Sequence, residues 1–156
     1  MSIQTVRAYL EPFGVADRVR ELDVSSATVE LAAAALGVEG ARIAKTLSFH
    51  DKEGCMLIVM AGDGKVDNHK FKARFAQKAR MLSAEEALAM TGHAVGGVCP
   101  FALPEGTPVY LDETLRRFHT VFPACGTANS AIELTCEELE RCAQALDWVD
   151  VCKISQ

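Results

Sequence analysis

Apolar and polar positions recur along this chain with two periods, and each change of period marks the start of a new element. The run Ile43-Ala44-Lys45-Thr46-Leu47-Ser48-Phe49 alternates strictly, which predicts a strand with Ile43, Lys45, Leu47 and Phe49 on one face. Cys55 to Ala61 is apolar on both faces, as a central strand is, and Asp51-Lys52-Glu53-Gly54 supplies the turn between the two. Helical spacing predicts a first helix opened by Ser2, with a Val6, Leu10, Phe13 stripe that stops near Gly14. A second helix runs from Thr28 to Gly37 and carries Leu31, Ala32, Ala35 and Leu36; a third covers about 68–77 with Phe71 and Phe75 inward. Capping boxes at Ser83-Ala84-Glu85-Glu86 and Thr135-Cys136-Glu137-Glu138 open two more. Gly92 closes the first of these, and the second buries Leu139, Cys142, Ala143 and Leu146. Further strands are predicted at 109–111, 118–122, 131–134 and 148–151. Short strands joined by hairpins and interspersed with helices give an α+β class rather than a doubly wound parallel sheet.

Lys45 does not fit its strand. A lysine on an apolar face must snorkel, meet an anion or lose its proton. Downstream stand two glycine-marked loops, Gly96-Gly97-Val98-Cys99-Pro100-Phe101 and Gly126-Thr127-Ala128-Asn129-Ser130. Glycine lets another molecule approach the main chain without a Cβ in the way, so such loops can build a site from backbone N–H groups. One cation and two loops of bare amides suit a ligand rich in carbonyl or phosphate oxygens. Each loop also reads as ordinary turn chemistry, with Asn129 and Ser130 capping their own turn.

Composition narrows the rest. The 156 residues fit one domain, and no apolar stretch is long enough for a bilayer. The first thirteen residues carry Glu11 and no apolar signal core, so a cytoplasmic location is expected. A net charge of −5 argues against general affinity for nucleic acid but leaves room for one basic strip. Lys70, Arg74 and Lys78 recur at i, i+4 and i+8 on the third helix, with no acid from Asn68 through Arg80. That stripe is either a solvated face or a phosphate contact. The six cysteines have no C-x-x-C pair and no zinc-like spacing with histidine, which reads as reduced, mostly core thiols. Cys99 and Cys125 sit in the glycine loops, yet none of the four histidines lies in a motif that would make it their base.

Taken in order, these pieces resemble the YbaK/prolyl-tRNA synthetase-associated domain family, editing domains that hydrolyse mischarged aminoacyl-tRNA. The carriers run from about Thr28 to Leu146: Ala32 to Gly37, Arg42-Ile43-Ala44-Lys45-Thr46-Leu47, Gly96 to Phe101, Val109-Tyr110-Leu111-Asp112, Gly126 to Ser130, and Ile132-Glu133-Leu134. The resemblance implies one editing domain over residues 1–156, an α+β fold with a mixed, barrel-like sheet flanked by helices. It also implies a pocket for the aminoacylated end of tRNA, with no cofactor, metal or covalent intermediate, and a synthetase as a further partner. Lys45 matches the family's essential lysine; Gly96 and Gly97 join it as catalytic positions. Thr46, Val98, Cys99, Pro100, Phe101, Gly126, Thr127, Asn129 and Ser130 fall at substrate-binding positions. Cys99 and Thr127 stand where Ser or Thr, and Ser, are frequent in the family, which leaves the edited amino acid open.

The expected activity is therefore deacylation of a small amino acid such as alanine, serine or cysteine from tRNA-Pro or a similar tRNA. Lys45 and loop amides would hold the substrate, and a substrate hydroxyl would assist the water. Val98, Cys99 and Phe101 would roof the amino-acid pocket. The rivals are a non-catalytic module that binds the aminoacyl-tRNA end or a synthetase, and a small hydrolase that uses Cys99.

Overall fold

A computed structural model describes residues 3–52, 54–94 and 96–154. Its centre is a curled six-stranded mixed sheet. β2 (Ile43–Asp51) and β3 (Gly54–Ala61) form a long antiparallel hairpin, with Lys45 opposite Met60. β5 (Val109–Asp112) runs parallel to β3, and β9 (Asp147–Val149) runs parallel to β5. On the other side β6 (Thr120–Pro123) runs parallel to β2 and antiparallel to β8 (Leu134–Thr135). Two small ribbons complete the strands: β1 (Arg20–Glu21) pairs β7 (Ser130–Ala131), and β4 (Gly64–Val66) pairs β10 (Cys152–Ile154). The expected α+β class with a barrel-like mixed sheet is what the chain adopts.

The helices begin and end where local chemistry dictates. α2 (Val29–Leu36) starts at Thr28, whose hydroxyl accepts from the Leu31 N–H, and stops at Gly37 in the left-handed region. α4 (Ala84–Thr91) and α5 (Cys136–Ala143) open on the two capping boxes read from sequence. α3 (Asn68–Phe75) is capped by Asp67, and α1 (Ile3–Leu10) buries Ile3, Val6 and Leu10. The expected cap at Ser2 lies outside the described residues. No described helix is long and apolar enough to cross a membrane.

Side chains on opposite faces of the sheet pack into separate cores. Ala44, Leu57, Val59 and Ala61 join α1, α5 and the loop residues Cys99, Phe101 and Cys125. Phe49, Met56, Ile58 and Met60 join Phe71 of α3 and, near the C-terminus, Val149, Val151 and Cys152.

Four expectations change. The strand proposed over 131–134 is two short strands, because the chain leaves β1 at Ala131 and takes up β6 at Leu134. The strand proposed at 148–151 ends with β9 at Val149, and β10 starts only at Cys152. Leu146 lies beyond the end of α5 and is 65% exposed, and Leu31 on α2 is 46% exposed. Both satisfy helical periodicity, but no neighbouring element covers that side.

Candidate active site

The site forms where β2 loses its neighbours. On one edge β2 pairs with β3 throughout. On the other it meets β6 only at Ile43 and Ala44, and the segment at 80–82 through His50 N–H to Arg80 O (2.8 Å) and Leu82 N–H to Ser48 O (3.0 Å). Residues 45–47 are left open between these contacts. Alternation along the strand turns the Thr46 N–H and C=O toward this open edge, the same edge used by Ser48 and His50.

A cleft of about 320 Å³ lies over the gap. Its floor is Ala44 to Ser48 of β2, and its walls come from α2 with the residues before it, from the start of α4, and from both glycine loops. Most of the lining is small or aliphatic, and none of it is acidic.

Lys45 lines this cleft half-buried and forms no ion pair among the described residues. Burial lowers its pKa, and the nearest opposing charges, Asp63 and Glu30 among them, act only at longer range. Asp63 is itself engaged by Arg117 at 2.5 Å. An ammonium left without a carboxylate in a concave, largely apolar site is available to a ligand anion or carbonyl oxygen.

The two glycine loops are locked against each other. A Cβ on Gly97 would lie 2.7 Å from Gly126 C and O and from Thr127 N, so Gly97 permits a backbone crossing. A Cβ on Gly126, itself at φ +90°, would lie 2.9 Å from the Val6 side chain and 3.5 Å from the His93 ring. The second loop is in turn tied to the chain before α2: Leu22 N–H donates to Asn129 O (2.7 Å), and Ser26 N–H donates to Ala128 O (2.6 Å).

The sequence-predicted residues therefore separate. Lys45, Thr46, Gly96, Val98 and Ser130 line one cleft. Gly97 and Gly126 stand behind it and set the spacing of the loops, so the room opened by Gly97 is filled by protein main chain rather than left for a ligand. Cys99, Pro100 and Phe101 are buried, and Cys99 and Phe101 belong to the core that includes α1. Only Val98 of the three expected roof residues lines the cleft, because the turn after Val98 carries the next side chains inward. Thr127 Oγ1 donates to Ser130 Oγ (2.7 Å) and Asn129 Nδ2 to Leu22 O (3.2 Å), so both hold loop geometry.

A cysteine–histidine pair that no motif revealed does exist. His93 Nε2 lies 2.8 Å from Phe101 O and 3.5 Å from Cys99 Sγ, with both residues fully buried. Burial pushes the Cys99 thiol up to about 12 and lowers the His93 pKa, so the pair rests as neutral thiol and neutral imidazole. No described group of three or more His, Cys, Asp or Glu is arranged for a metal ion.

On α3 the basic stripe is partly neutralised. Lys70 Nζ binds Asp150 Oδ1 (3.0 Å) and Cys152 O (2.9 Å), and Arg74 pairs with Asp147 (3.2 Å) over the Tyr110 ring. Lys78 lies past the end of α3 at Phe75, so the expected three-residue helical stripe is broken; it lines a separate open recess with His69 and Lys72, and neither of these lysines is in an ion pair among the described residues.

Sequence reasoning missed Ser26 and the wall built by Met81 to Ala87. Ser26 precedes a helix cap and reads locally as loop; only the pairing of its backbone with Ala128 brings it to the cleft.

An open β2 edge, an unpaired lysine and two interlocked glycine loops define the cleft, and comparison with known proteins gives the family. Residues 23–142 match the aminoacyl-tRNA editing domain family, and the chain belongs to that family. It is 52% identical over 154 residues to the uncharacterized protein YwhH of Bacillus subtilis (strain 168), covering 98% of both chains. Among solved structures it is similar to a candidate trans-editing enzyme for prolyl tRNA synthetase (TM-score 0.88, 31% identity, 98% and 99% of the two chains covered). The hypothetical protein APE2540 is also similar (TM-score 0.84, 30% identity, 96% and 99% covered).

Proposed function

We propose that this protein is a trans-editing hydrolase that removes a small amino acid from mischarged tRNA in the cleft over β2. The observation that carries the reading is Lys45, an unpaired, half-buried ammonium beside an open strand edge, in a chain of the editing family. An aminoacyl ester is already activated, so hydrolysis needs an aimed water and fixed dipoles for the oxyanion rather than a strong enzymic nucleophile. Water adds to the acyl carbon, and the bond to the ribose oxygen breaks. The ribose hydroxyl and the free amino acid leave.

Lys45 holds a phosphate or carbonyl oxygen of the substrate, and the Thr46 N–H lies on the edge where an oxyanion would be received. The ribose hydroxyl next to the ester positions the water. Gly96, Val98 and Ser130 line the acyl pocket, while Gly97 and Gly126 fix the loops that carry them. Burial of Cys99 and its raised pKa count against a thiol nucleophile. The acceptor end of tRNA is the partner, with phosphates meeting Lys70 and Arg74 of α3 and Lys78 just past its end; of these, Lys78 has no competing acid. A prolyl-tRNA synthetase fits as the source of the mischarged tRNA, and the setting is cytoplasmic.

The test is a panel of tRNAs charged with alanine, serine, cysteine, threonine and proline, incubated with wild-type protein and with Lys45→Ala. Multiple-turnover release of a small amino acid, lost in Lys45→Ala, is expected. Tight binding without turnover would make the protein a binding module instead.

A further inference from the structure

Six hydroxyls line the cleft, Ser48 among them, and three are occupied by the protein itself. Thr28 Oγ1 caps α2, Ser83 Oγ caps α4, and Ser130 Oγ is shared between Thr127 and the Cys125 N–H. Two buried ones have no such partner. Ser26 Oγ and Thr46 Oγ1 are both buried, and neither hydrogen-bonds to another group of the protein. Ser26 is 8% exposed, and its main chain is held in place by the N–H bond to Ala128. Thr46 follows Lys45 on the floor of the same cleft.

Buried hydroxyls without a partner are a liability in a packed protein and are unusual there. Water can serve them while the cleft is empty of ligand. A ligand that fills the cleft expels that water, and must then either replace its hydrogen bonds or leave both hydroxyls stranded. The surrounding lining (Ala27, Ala32, Ala44, Ala87, Ala124 and Ala131) offers no substitute. The missing partner is not a cation, because the lining holds no carboxylate to balance an ammonium, and Lys45 would repel one. One group can serve both orphans by donating to one and accepting from the other, since each can take either role. A hydroxyl does both.

We infer that Ser26 and Thr46 are specificity-determining residues that read a hydroxyl on the aminoacyl side chain, so that the cleft selects a seryl over an alanyl group. This rests on the editing reading for the identity of the ligand. Methyl-sized differences in apolar pockets discriminate weakly, whereas a site built to bond a hydroxyl rejects the analogue lacking it far more strongly. Stranding a buried polar group typically costs about one order of magnitude in affinity, and often more.

The probes are hydrolysis-resistant seryl and alanyl amides of adenosine, titrated calorimetrically into the wild-type protein, Ser26→Ala, Thr46→Val and the double variant. The wild type should bind the seryl amide at least about tenfold more tightly. Each single variant should lose most of that preference through weaker seryl binding, with alanyl binding unchanged or tighter, and the double variant should have none. Thr46→Ser, which keeps the hydroxyl, should retain the preference, which separates recognition from a packing defect. Equal wild-type affinities, or binding of neither amide, would overturn the inference. So would equal losses for both amides in the variants, because the hydroxyls would then hold the ribose. Deacylation of seryl- and alanyl-tRNA, run in parallel, separates the two readings. A seryl preference in binding without any release of amino acid removes the hydrolase and leaves the recognition. Equal hydrolysis of both tRNAs with equal affinities does the reverse.

Discussion

Adding one methyl group at Gly97 should damage both stability and activity, and the structure sets the scale of each. The new Cβ would stand 2.7 Å from three backbone atoms of the second glycine loop, Gly126 C and O and Thr127 N. Ordinary carbon contacts lie at about 3.5–4.0 Å, so the loops must part by roughly 1 Å. Backbone cannot rotate out of the way as a side chain can. Overpacking of this kind costs about 1–3 kcal/mol, and at this chain length each kcal/mol lowers Tm by about 2–4 °C. Gly97→Ala should therefore melt roughly 2–12 °C early. The same movement shifts Gly96 and Val98 against Ala124 and Ser130 across the cleft, and a 1 Å misplacement at a reacting centre costs on the order of 10²-fold in rate. Melting and single-turnover deacylation are measured on the same samples, well below Tm. Gly106→Ala is the control: unlike Gly97 it has a positive φ (+83°), but nothing stands within 4 Å of where its Cβ would be. It should lose stability by about 1 kcal/mol with deacylation unchanged. Wild-type melting of Gly97→Ala would refute the loop contact. Early melting with wild-type deacylation would refute the claim that loop spacing sets the site.

Lys45→Met keeps the side-chain volume and should abolish deacylation while raising Tm at neutral pH; turnover near wild type would sink the role of the lysine. Burial lowers the Lys45 pKa below its ordinary 10.5, so its cost to folding is full below the folded pKa and gone above the unfolded one. The stability advantage of Lys45→Met should accordingly shrink as pH rises toward 10.5, and a gap that widened with pH would contradict the assignment. Cys99→Ser should keep deacylation within about tenfold, and native Cys99 should resist alkylation at pH 8, because its thiol is pushed up to about 12; an acyl adduct on Cys99 would revive the cysteine hydrolase. Lys78→Ala should lower the salt dependence of tRNA binding by about 0.7–0.9 log units of slope, and Lys70→Ala and Arg74→Ala by less, since Asp150 and Asp147 already compensate those charges. Unchanged slopes in all three would leave α3 a solvated face.

The sequence alone determined what is decided within a few residues. Thr28, Ser83 and Thr135 are legible as helix starts because each satisfies N–H groups two or three residues away. Gly37 and Gly92 are legible as stops because the left-handed conformation is a property of the residue itself. Lys45 is legible as out of place because strand alternation alone fixes its face. The order of those pieces was enough to point to the editing family. Tertiary structure decided what depends on partners far along the chain. The open edge at 45–47 exists only because β6 stops pairing after Ala44, and no local pattern encodes where a neighbour ends. Cys99 and Val98 are adjacent in sequence, yet one is sealed in the core and the other lines the cleft, a division set by packing against α1. Lys70 and Lys78 look alike on a helical wheel and differ because α3 ends at Phe75, short of Lys78, and Asp150 reaches Lys70 from 80 residues away. Ser26 enters the site through one hydrogen bond to Ala128, about a hundred residues on in the chain. Local chemistry wrote the elements and marked the lysine; long-range pairing of strand edges and loops made the cleft around it.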